Sequence, residues 1–240
     1  GDGQCKHIPY AKKIPARAVT EAIPVEEKNG MVMGWHHPEG REPYFELQHI
    51  PGLNEAQDQW GEVHYFEYDL PTCVQEIAEN DVDGPHFTYL HGMPAFHETS
   101  AEIDGPLKRS VSVMETNPDF LQGEAESSEY RLIRESHGCG SVTVLSEGIQ
   151  GATPGVVGQF LLYNVATPVD DNRTLLRWSM CVSKNLEHDD MGKTLLHGYP
   201  EGVKDDIPIW EEKIYQQNPV LCDGDGPINK HRKWFEQFYQ

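Results

Sequence analysis

The stretch that decides the fold runs from Val157 to Ser183 and reads Val157-Gly-Gln-Phe-Leu-Leu-Tyr-Asn-Val-Ala-Thr-Pro-Val-Asp-Asp-Asn-Arg-Thr-Leu-Leu-Arg-Trp-Ser-Met-Cys-Val-Ser183. Two segments rich in β-branched and aromatic residues, 157–166 and 174–183, are separated by the turn-forming residues Asp170-Asp171-Asn172. This pattern predicts two successive antiparallel strands. Large apolar side chains stand at alternate positions, so one face of these strands is expected to fill a core.

Further strands are predicted on either side of this pair, and helices beyond them. Period-two alternation and turn signals such as Asn29-Gly30 and His137-Gly138 predict strands at 31–35, 62–68, 109–115, 130–136 and 141–147. Helices are predicted over 72–89 up to a Gly84-Pro85 break, and over 188–196, 205–217 and 230–239. A twisted antiparallel sheet with helices packed across it is an α+β fold.

The composition is that of a globular protein with an acidic surface. The chain has 39 acidic and 19 basic residues and a net charge of −20, which disfavours nucleic acid and anionic membranes as partners. No apolar run approaches the roughly 20 residues of a membrane span. The five scattered cysteines argue against a disulfide framework, so we expect a cytoplasmic protein.

Metal-ligand residue types are concentrated in residues 79–92, Glu-Asn-Asp-Val-Asp-Gly-Pro-His-Phe-Thr-Tyr-Leu-His-Gly. Within this segment Asp83, His86 and His91 follow the spacing Asp-x2-His-x4-His. Two imidazoles and one carboxylate with open positions are the ligand set of mononuclear non-haem Fe(II) oxygen chemistry. The segment therefore predicts an iron site that activates O2.

The spacing of the two histidines can be compared with helix geometry. On a regular helix His86 and His91 would point roughly 140° apart. Pro85 bends or ends a helix and Gly84 adds backbone freedom, so a broken helix would let both rings converge. The alternative is a helix that begins at Asp83, holds Pro85 in its first turn and carries two ordinary histidines.

A facial triad also needs a carboxylate from elsewhere in the chain. The best candidate is Asp206, in residues 203–213, Val-Lys-Asp-Asp-Ile-Pro-Ile-Trp-Glu-Glu-Lys. Asp205 and Asp206 also have the character of helix-starting acids ahead of Pro208. The spacing leaves open both this structural role and the choice between Asp205 and Asp206.

These segments resemble the oxygenase subunit of Rieske non-haem iron oxygenases, in particular the 3-ketosteroid 9α-hydroxylase group and the related cholesterol 7-desaturases. The matching pieces are Asn80-x-x-Asp83-x-x-His86-Phe87-x-x-x-His91-Gly92, Asp206-x-x-Ile209-Trp210, the tail Asp225-Gly-Pro-Ile228 with Arg232-x-Trp234-x-x-Phe238-Tyr239, and the opening residues 1–10 with 29–35. The resemblance implies that His86, His91 and Asp206 bind the iron. It implies that Asp83 links the iron to a Rieske cluster on a neighbouring subunit, and that Asn80 lies near the iron.

The resemblance also implies the architecture and the reaction. Residues 56–240 would form a helix-grip, START-like catalytic domain, and residues 1–55 the trailing part of a Rieske β domain, with the boundary in residues 51–60. The implied reaction is hydroxylation or desaturation of a steroid or sterol-like substrate with O2. Electrons would come from a ferredoxin and its reductase, and the assembly would be a homotrimer. Tyr163 and Asn164 are candidate polar contacts of the substrate.

The sequence departs from the family in its Rieske ligands. A Rieske [2Fe-2S] cluster needs two cysteines and two histidines, which the family supplies as Cys-x-His and Cys-x-x-His. Cys5-Lys6-His7 fits the first half-motif, and no cysteine of the sequence fits the second. In the family, a stretch like residues 1–10 follows the second half-motif, which implies a structural role for Cys5. We therefore expect the cluster ligands to lie outside this sequence, and the 240-residue chain alone to show no Rieske absorption.

Two other classes of function remain open at this point. A non-catalytic helix-grip module would hold a lipid, but it would have no use for a converging His86, His91 and Asp206. A hydrolytic zinc enzyme can use the same ligand types. The sequence, however, contains no His-Glu-x-x-His motif and no obvious general base beside the ligands.

Overall fold

The computed structural model describes residues 2–54, 58–93, 96–115 and 129–239. The chain divides into two compact units, Gly1–His49 and Ile50–Gln240. The predicted domain boundary at residues 55/56 lies outside the described residues. The assignment of the first unit to a Rieske domain stays a prediction.

The first unit contains a short antiparallel hairpin. Strands β1 (Val25–Lys28) and β2 (Met31–Gly34) pair in a register that places Lys28 opposite Met31. Asn29 and Gly30 form the turn with φ of 54° and 73°, the left-handed values that a two-residue hairpin turn requires. The Asn29-Gly30 signal therefore predicted this hairpin correctly.

The second unit is built on one seven-stranded antiparallel sheet in the order β3-β9-β8-β7-β6-β5-β4. The strands are β3 (His64–Leu70), β4 (Phe96–Asp104), β5 (Leu107–Glu115), β6 (Glu129–His137), β7 (Ser141–Gln150), β8 (Val157–Asp170) and β9 (Arg173–Val182). Strands β4 to β9 follow one another as a meander, and β3 lies beside β9 at the far edge. The predicted α+β fold with an antiparallel sheet is confirmed, and β4 is a strand that the sequence reasoning missed.

The β8–β9 pair shows how the alternating pattern builds the core. Phe160 lies opposite Val182 and Leu162 opposite Met180, and all four side chains belong to the main hydrophobic cluster. Successive side chains of a strand point to opposite faces. One sheet face therefore carries the core that the helices cover.

Five helices accompany the sheet among the described residues: α1 (Pro51–Asn54), α2 (Val74–Glu79), α3 (Gly84–Tyr89), α4 (Asp190–Glu212) and α5 (Ile228–Phe235), the last followed by a 3-10 turn at Glu236–Phe238. Helix α4 places Leu196, Val203 and Trp210 in the main cluster. Their seven-residue spacing puts them on one stripe of the helix. No helix in the described ranges is both long and apolar enough to cross a bilayer.

Helix α4 corrects the prediction of two separate helices at 188–196 and 205–217. It runs unbroken for 23 residues through Pro200 and Pro208. Each proline removes one backbone hydrogen bond, but the buried stripe extends across both positions, so ending the helix would expose apolar surface. The carbonyl of Pro200 also accepts a hydrogen bond from the Tyr68 hydroxyl at 3.1 Å. Tertiary packing therefore outweighs the local tendency to break.

Candidate metal centre

Side chains from two distant segments converge on the helix-covered side of the sheet. His86, His91 and Asp206 each offer one ligand atom, and these atoms lie within 4.8 Å of one another. Nε2 of His91 is 3.5 Å from Oδ2 of Asp206. The centroids of the two imidazole rings are 5.3 Å apart, with the ring planes at 78°. The three residues that were named as iron ligands are thus brought together.

The broken-helix hypothesis required the Gly84-Pro85 pair to interrupt a helix. The pair does not do so. It starts α3, with Asp83 as the N-cap and Pro85 in the first turn. The Asp83 carboxylate accepts a hydrogen bond from the His86 backbone N–H at 3.4 Å. The alternative prediction, that a helix begins at Asp83, therefore describes the backbone correctly. The convergence of the two histidine rings needs another explanation.

The rings converge because α3 ends in a wide turn. The His86 carbonyl accepts hydrogen bonds from the backbone N–H groups of Leu90, at 2.9 Å, and of His91, at 3.3 Å. A bond between residues five apart closes a π-type turn, which carries more residues per turn than an α-helix. In such a turn two residues five positions apart, here His86 and His91, lie on nearly the same side of the helix axis. Gly92 follows with φ of 62° and redirects the chain.

Helix α4 supplies the third side chain of the group. Asp206 is buried, whereas the side chain of Asp205 is 60% exposed and reaches His91 Nδ1 only at 3.9 Å. One turn before Asp206, Gly202 faces the His91 ring, and a Cβ at that position would lie 3.6 Å from Nδ1. This arrangement favours Asp206 over Asp205 as a metal ligand.

The donor atoms fit a divalent metal such as iron. Nδ1 of His86 contacts the backbone carbonyl of Asp83. Because a carbonyl only accepts, Nδ1 carries the proton and Nε2 is left as the ligand atom. Nδ1 of His91 is buried and has no hydrogen-bond partner among the described residues. Two imidazole nitrogens and one carboxylate oxygen are a donor set suited to Fe(II).

The two histidines differ in their electrostatics. Burial lowers the pKa of His86, although the nearby Asp83 partly opposes this effect. The hydrogen bond with Asp206 raises the pKa of His91. His86 is therefore neutral near pH 7 and ready to bind a metal. Asp206 thus favours the protonated form of His91, and a metal that binds this ring competes with that proton.

Asp83 contacts a candidate ligand in a way that the sequence did not predict. Its backbone carbonyl accepts a hydrogen bond from Nδ1 of His86, while its carboxylate caps α3. The role of Asp83 as a link to a neighbouring cluster stays a prediction.

Asn80 contacts the triad directly. Its Nδ2 donates a hydrogen bond to Oδ1 of Asp206 at 3.3 Å. The residues on either side of it are held by buried ion pairs. Glu79 accepts two hydrogen bonds from Arg232 at 2.6 and 2.9 Å, and Asp81 accepts one from Lys108 at 3.2 Å. Sequence reasoning missed these two pairs, although Arg232 belongs to the tail motif.

The two candidate substrate contacts on β8 lie on opposite faces of the sheet. Tyr163 and Asn164 are neighbours in one strand, so their side chains diverge. Asn164 shares its face with Leu162 and the main cluster, on the side of the triad. Tyr163 shares the other face with Leu161, whose side chain lies against Gly52. The structure thus places Asn164, and not Tyr163, on the face of the triad.

Solved structures with a similar fold are Rieske-type oxygenases. Dicamba monooxygenase bound to 3,6-dichlorosalicylic acid superposes with a TM-score of 0.73 at 14% identity, over 99% of this chain and 76% of that chain. A mutant of NdmA from Pseudomonas putida CBB5 with theobromine gives a TM-score of 0.69 at 15% identity, over 98% and 66%. At these identities the likeness concerns the fold, which is that of a Rieske oxygenase catalytic domain.

The sequence comparisons give the family within that class. The model of the 3-ketosteroid 9alpha-hydroxylase C-terminal domain matches residues 34–239, and the chain belongs to this family. The oxygenase component of 3-ketosteroid-9-alpha-monooxygenase from Rhodococcus rhodochrous is 29% identical over 100% of this chain and 62% of its own length. Cholesterol 7-desaturase from Caenorhabditis elegans is 28% identical over 99% and 59%. The chain therefore spans about three fifths of these relatives, and the predicted resemblance is confirmed.

Proposed function

We propose that this chain is the catalytic part of an oxygenase component that hydroxylates or desaturates a steroid or sterol-like substrate with O2. The observation that carries the proposal is the convergence of His86, His91 and Asp206. The family and its named relatives, a 9-alpha-monooxygenase and a sterol desaturase, support the substrate class. A cytoplasmic location, with a ferredoxin and its reductase as electron donors, belongs to the same proposal.

The metal in this proposal is Fe(II), held by His86, His91 and Asp206. When bound, such an ion with open positions supplies the capacity to activate O2. The protein's contribution is to fix the ligands. The Asp83 carbonyl fixes the His86 ring and its tautomer, and Asn80 fixes the Asp206 carboxylate. Partners of this kind orient metal ligands and contribute to metal affinity.

The substrate side of the site is apolar. Phe87 and Met93, on either side of His91 in the sequence, pack against the main cluster with Tyr199 of α4. An apolar lining with few polar groups is typical of a site for a hydrophobic ligand, and it keeps water from the reacting carbon. Asn164 is the proposed polar contact on this face, and Tyr163 stays a weaker candidate because it lies on the other face.

Electron supply and assembly complete the proposal. A [2Fe-2S] Rieske cluster, with ligands outside this sequence, would deliver electrons from a neighbouring subunit of a homotrimer. Asp83 is the proposed link, since it lies between α2 and α3 and contacts His86 through its carbonyl. A lipid-binding module would need none of these polar contacts, and this favours the oxygenase over that alternative.

Metal analysis of purified protein tests the proposed function. We expect one mononuclear iron per chain, with zinc counted separately in the same sample. Asp206→Ala should lose the iron and keep its circular dichroism spectrum. Asp205→Ala is the matched control and should keep the iron, because its side chain is mostly exposed. Full iron in Asp206→Ala, or stoichiometric zinc in place of iron, would contradict the proposal.

Turnover is tested separately in protein that includes an upstream segment with Cys-x-His and Cys-x-x-His. With ferredoxin, reductase and NAD(P)H, this protein should oxidise a 3-ketosteroid or a sterol, and Asp206→Ala should abolish the product. Turnover by the 240-residue chain without any added cluster would show that the proposed electron route is wrong.

A further inference from the structure

Arg134, on β6, is a buried cation with unused donors. Its residue exposure is 1%. Nη2 donates to the Ser112 hydroxyl, whereas Nε and Nη1 have no hydrogen-bond partner among the described residues. A guanidinium has five N–H donors and stays charged in proteins. Burying such a cation without acceptors is costly, so Nε and Nη1 require a hydrogen-bond acceptor.

The charges around Arg134 do not balance. Lys108, on β5, is also buried and donates to Oδ2 of Asp81 at 3.2 Å, and the Ser136 hydroxyl donates to the same oxygen at 3.4 Å. Asp81 attracts Arg134 through space but makes no hydrogen bond with it that the structure records. Among the described residues, two buried cations therefore share one carboxylate.

The neighbouring histidine does not alter this balance. His231 lies 3.0 Å from Lys108 through Nδ1. Burial, together with the charges of Lys108 and Arg232, lowers the pKa of His231 to about 2. It is therefore neutral at physiological pH and adds no charge.

Arg134 lies beside the metal centre, on the same side of the sheet. The Phe87 ring connects the two: its centroid is 5.7 Å from the guanidinium carbon and 4.0 Å from the centroid of the His86 ring. Arg134 also shares its sheet face with Leu132, two positions away on β6, which is part of the main cluster. The unused donors thus lie on the sheet face that carries the candidate metal centre.

We infer that Arg134 anchors a carboxylate of the substrate, so that an apolar molecule with an acidic end is held while its other part faces His86, His91 and Asp206. A carboxylate would give Nε and Nη1 acceptors and would balance the excess positive charge. Arginine is well suited to such pairs because its planar donors match carboxylate oxygens. The inference rests on the proposed function and specifies its substrate class: steroid or sterol acids in preference to neutral steroids.

Ligand binding, measured without turnover, tests the anchor. The probes are 3-oxo-4-cholenoic acid and its methyl ester, which differ at the carboxylate alone, titrated by tryptophan fluorescence. We expect the acid to bind at least about tenfold more tightly than the ester, equivalent to about 1.4 kcal/mol. Arg134→Met should remove this preference, and Arg134→Lys should keep part of it, since lysine retains the charge.

Arg131→Met is the matched control, because Arg131 lies on the same strand and is exposed. It should keep the preference for the acid. Equal affinity of the wild-type protein for acid and ester would overturn the anchor, even if Arg134→Met fails to fold. An unchanged preference in a folded Arg134→Met variant would also overturn it.

Failure of the anchor and failure of the proposed function give different results. Iron content does not depend on Arg134, so a protein that binds one iron but does not distinguish acid from ester contradicts the anchor alone. A protein that prefers the acid but binds no iron at His86, His91 and Asp206 contradicts the proposed function alone.

Discussion

Asn80 donates a hydrogen bond from Nδ2 to Oδ1 of Asp206 across 3.3 Å, although the two residues are 126 positions apart in the chain. The other carboxylate oxygen, Oδ2, faces His91 at 3.5 Å. Each oxygen of Asp206 thus has its own neighbour, one from the end of α2 and one from the turn after α3. The bond fixes the orientation of the carboxylate before any metal is bound.

The first prediction concerns this bond. Asn80→Ala removes the donor but leaves the three ligand side chains in place, so we expect iron affinity to fall by about 10- to 100-fold with an unchanged fold. Competition with a chelator, with iron read by its metal content, measures this change. Asn54→Ala is a control, because Asn54 caps a distant helical turn. Wild-type affinity in Asn80→Ala would show that the bond does not orient the ligand.

The second prediction concerns the ion pair that holds the segment before Asn80. Arg232→Met leaves the buried Glu79 carboxylate without its two hydrogen bonds, although Lys213 remains at 3.5 Å. We expect a loss of about 3 kcal/mol in the free energy of unfolding, measured in urea. Lys233→Met, on the exposed side of α5, should change it by less than about 0.5 kcal/mol. Equal stability of both variants would contradict the assignment.

The third prediction is a pH dependence at the start of α4. The Asp189 carboxylate accepts hydrogen bonds from the backbone N–H groups of Ala152, Thr153 and Met191 at 2.7, 2.9 and 2.9 Å. Burial raises the pKa of Asp189, but a hydrogen bond with the Thr153 side chain and these backbone hydrogen bonds outweigh it and lower the pKa to about 2. A carboxyl group whose pKa is lowered by folding stabilises the fold at pH values above its unfolded pKa of 3.8. That stability is lost as the pH falls toward about 2.

Asp189→Ala should therefore lower the free energy of unfolding at pH 7 by about 0.5–2 kcal/mol, the range for a helix N-cap. The difference from the wild type should shrink between about pH 4 and pH 2. Asp190→Ala is the control, because its carboxylate is exposed and contacts only Lys193 among the described residues. A difference that stays constant down to pH 2 would contradict the capping role.

The fourth prediction compares two glycines of α4. A Cβ at Gly192 would lie 2.0 Å from the Leu186 carbonyl oxygen, whereas a Cβ at Gly198 would meet no heavy atom within 4 Å. Gly192→Ala must shift the backbone, so we expect a loss of about 1–3 kcal/mol. Gly198→Ala should instead stabilise the helix by about 0.5–1 kcal/mol. Thermal unfolding of both variants measures this difference, and the same sign for both would contradict the packing described.

The fifth prediction concerns assembly. In protein that includes the upstream segment, light scattering should give a trimer, which would place each iron beside a neighbour's cluster. Asp83→Asn should retain iron and trimer but slow electron transfer to the iron. A stable monomer that turns over at the full rate would contradict the proposed role of Asp83.

Local patterns predicted the elements whose side chains alternate over many residues. Strands β8 and β9 were found because apolar residues recur at every second position around a turn. Strand β4 was missed because residues 96–104, Phe-His-Glu-Thr-Ser-Ala-Glu-Ile-Asp, contain few apolar residues. Within the described part of the chain it lies at the sheet edge and pairs with β5 alone. Its strand conformation follows from that pairing and not from its own composition.

The sequence by itself determined the ligand types at the centre, their spacing, and the hairpin from Val157 to Ser183. It did not decide between Asp205 and Asp206, nor how His86 and His91 meet. The tertiary structure brings buried Asp206 to the two histidines and leaves Asp205 mostly exposed, because α4 packs against the sheet with Asp206 on its buried stripe. It brings the two rings together because α3 ends in a wide turn. The Asn80–Asp206 bond and the unused donors of Arg134 also depend on contacts between distant segments. Neighbouring residues cannot specify such contacts, because burial and charge balance are properties of the packed chain.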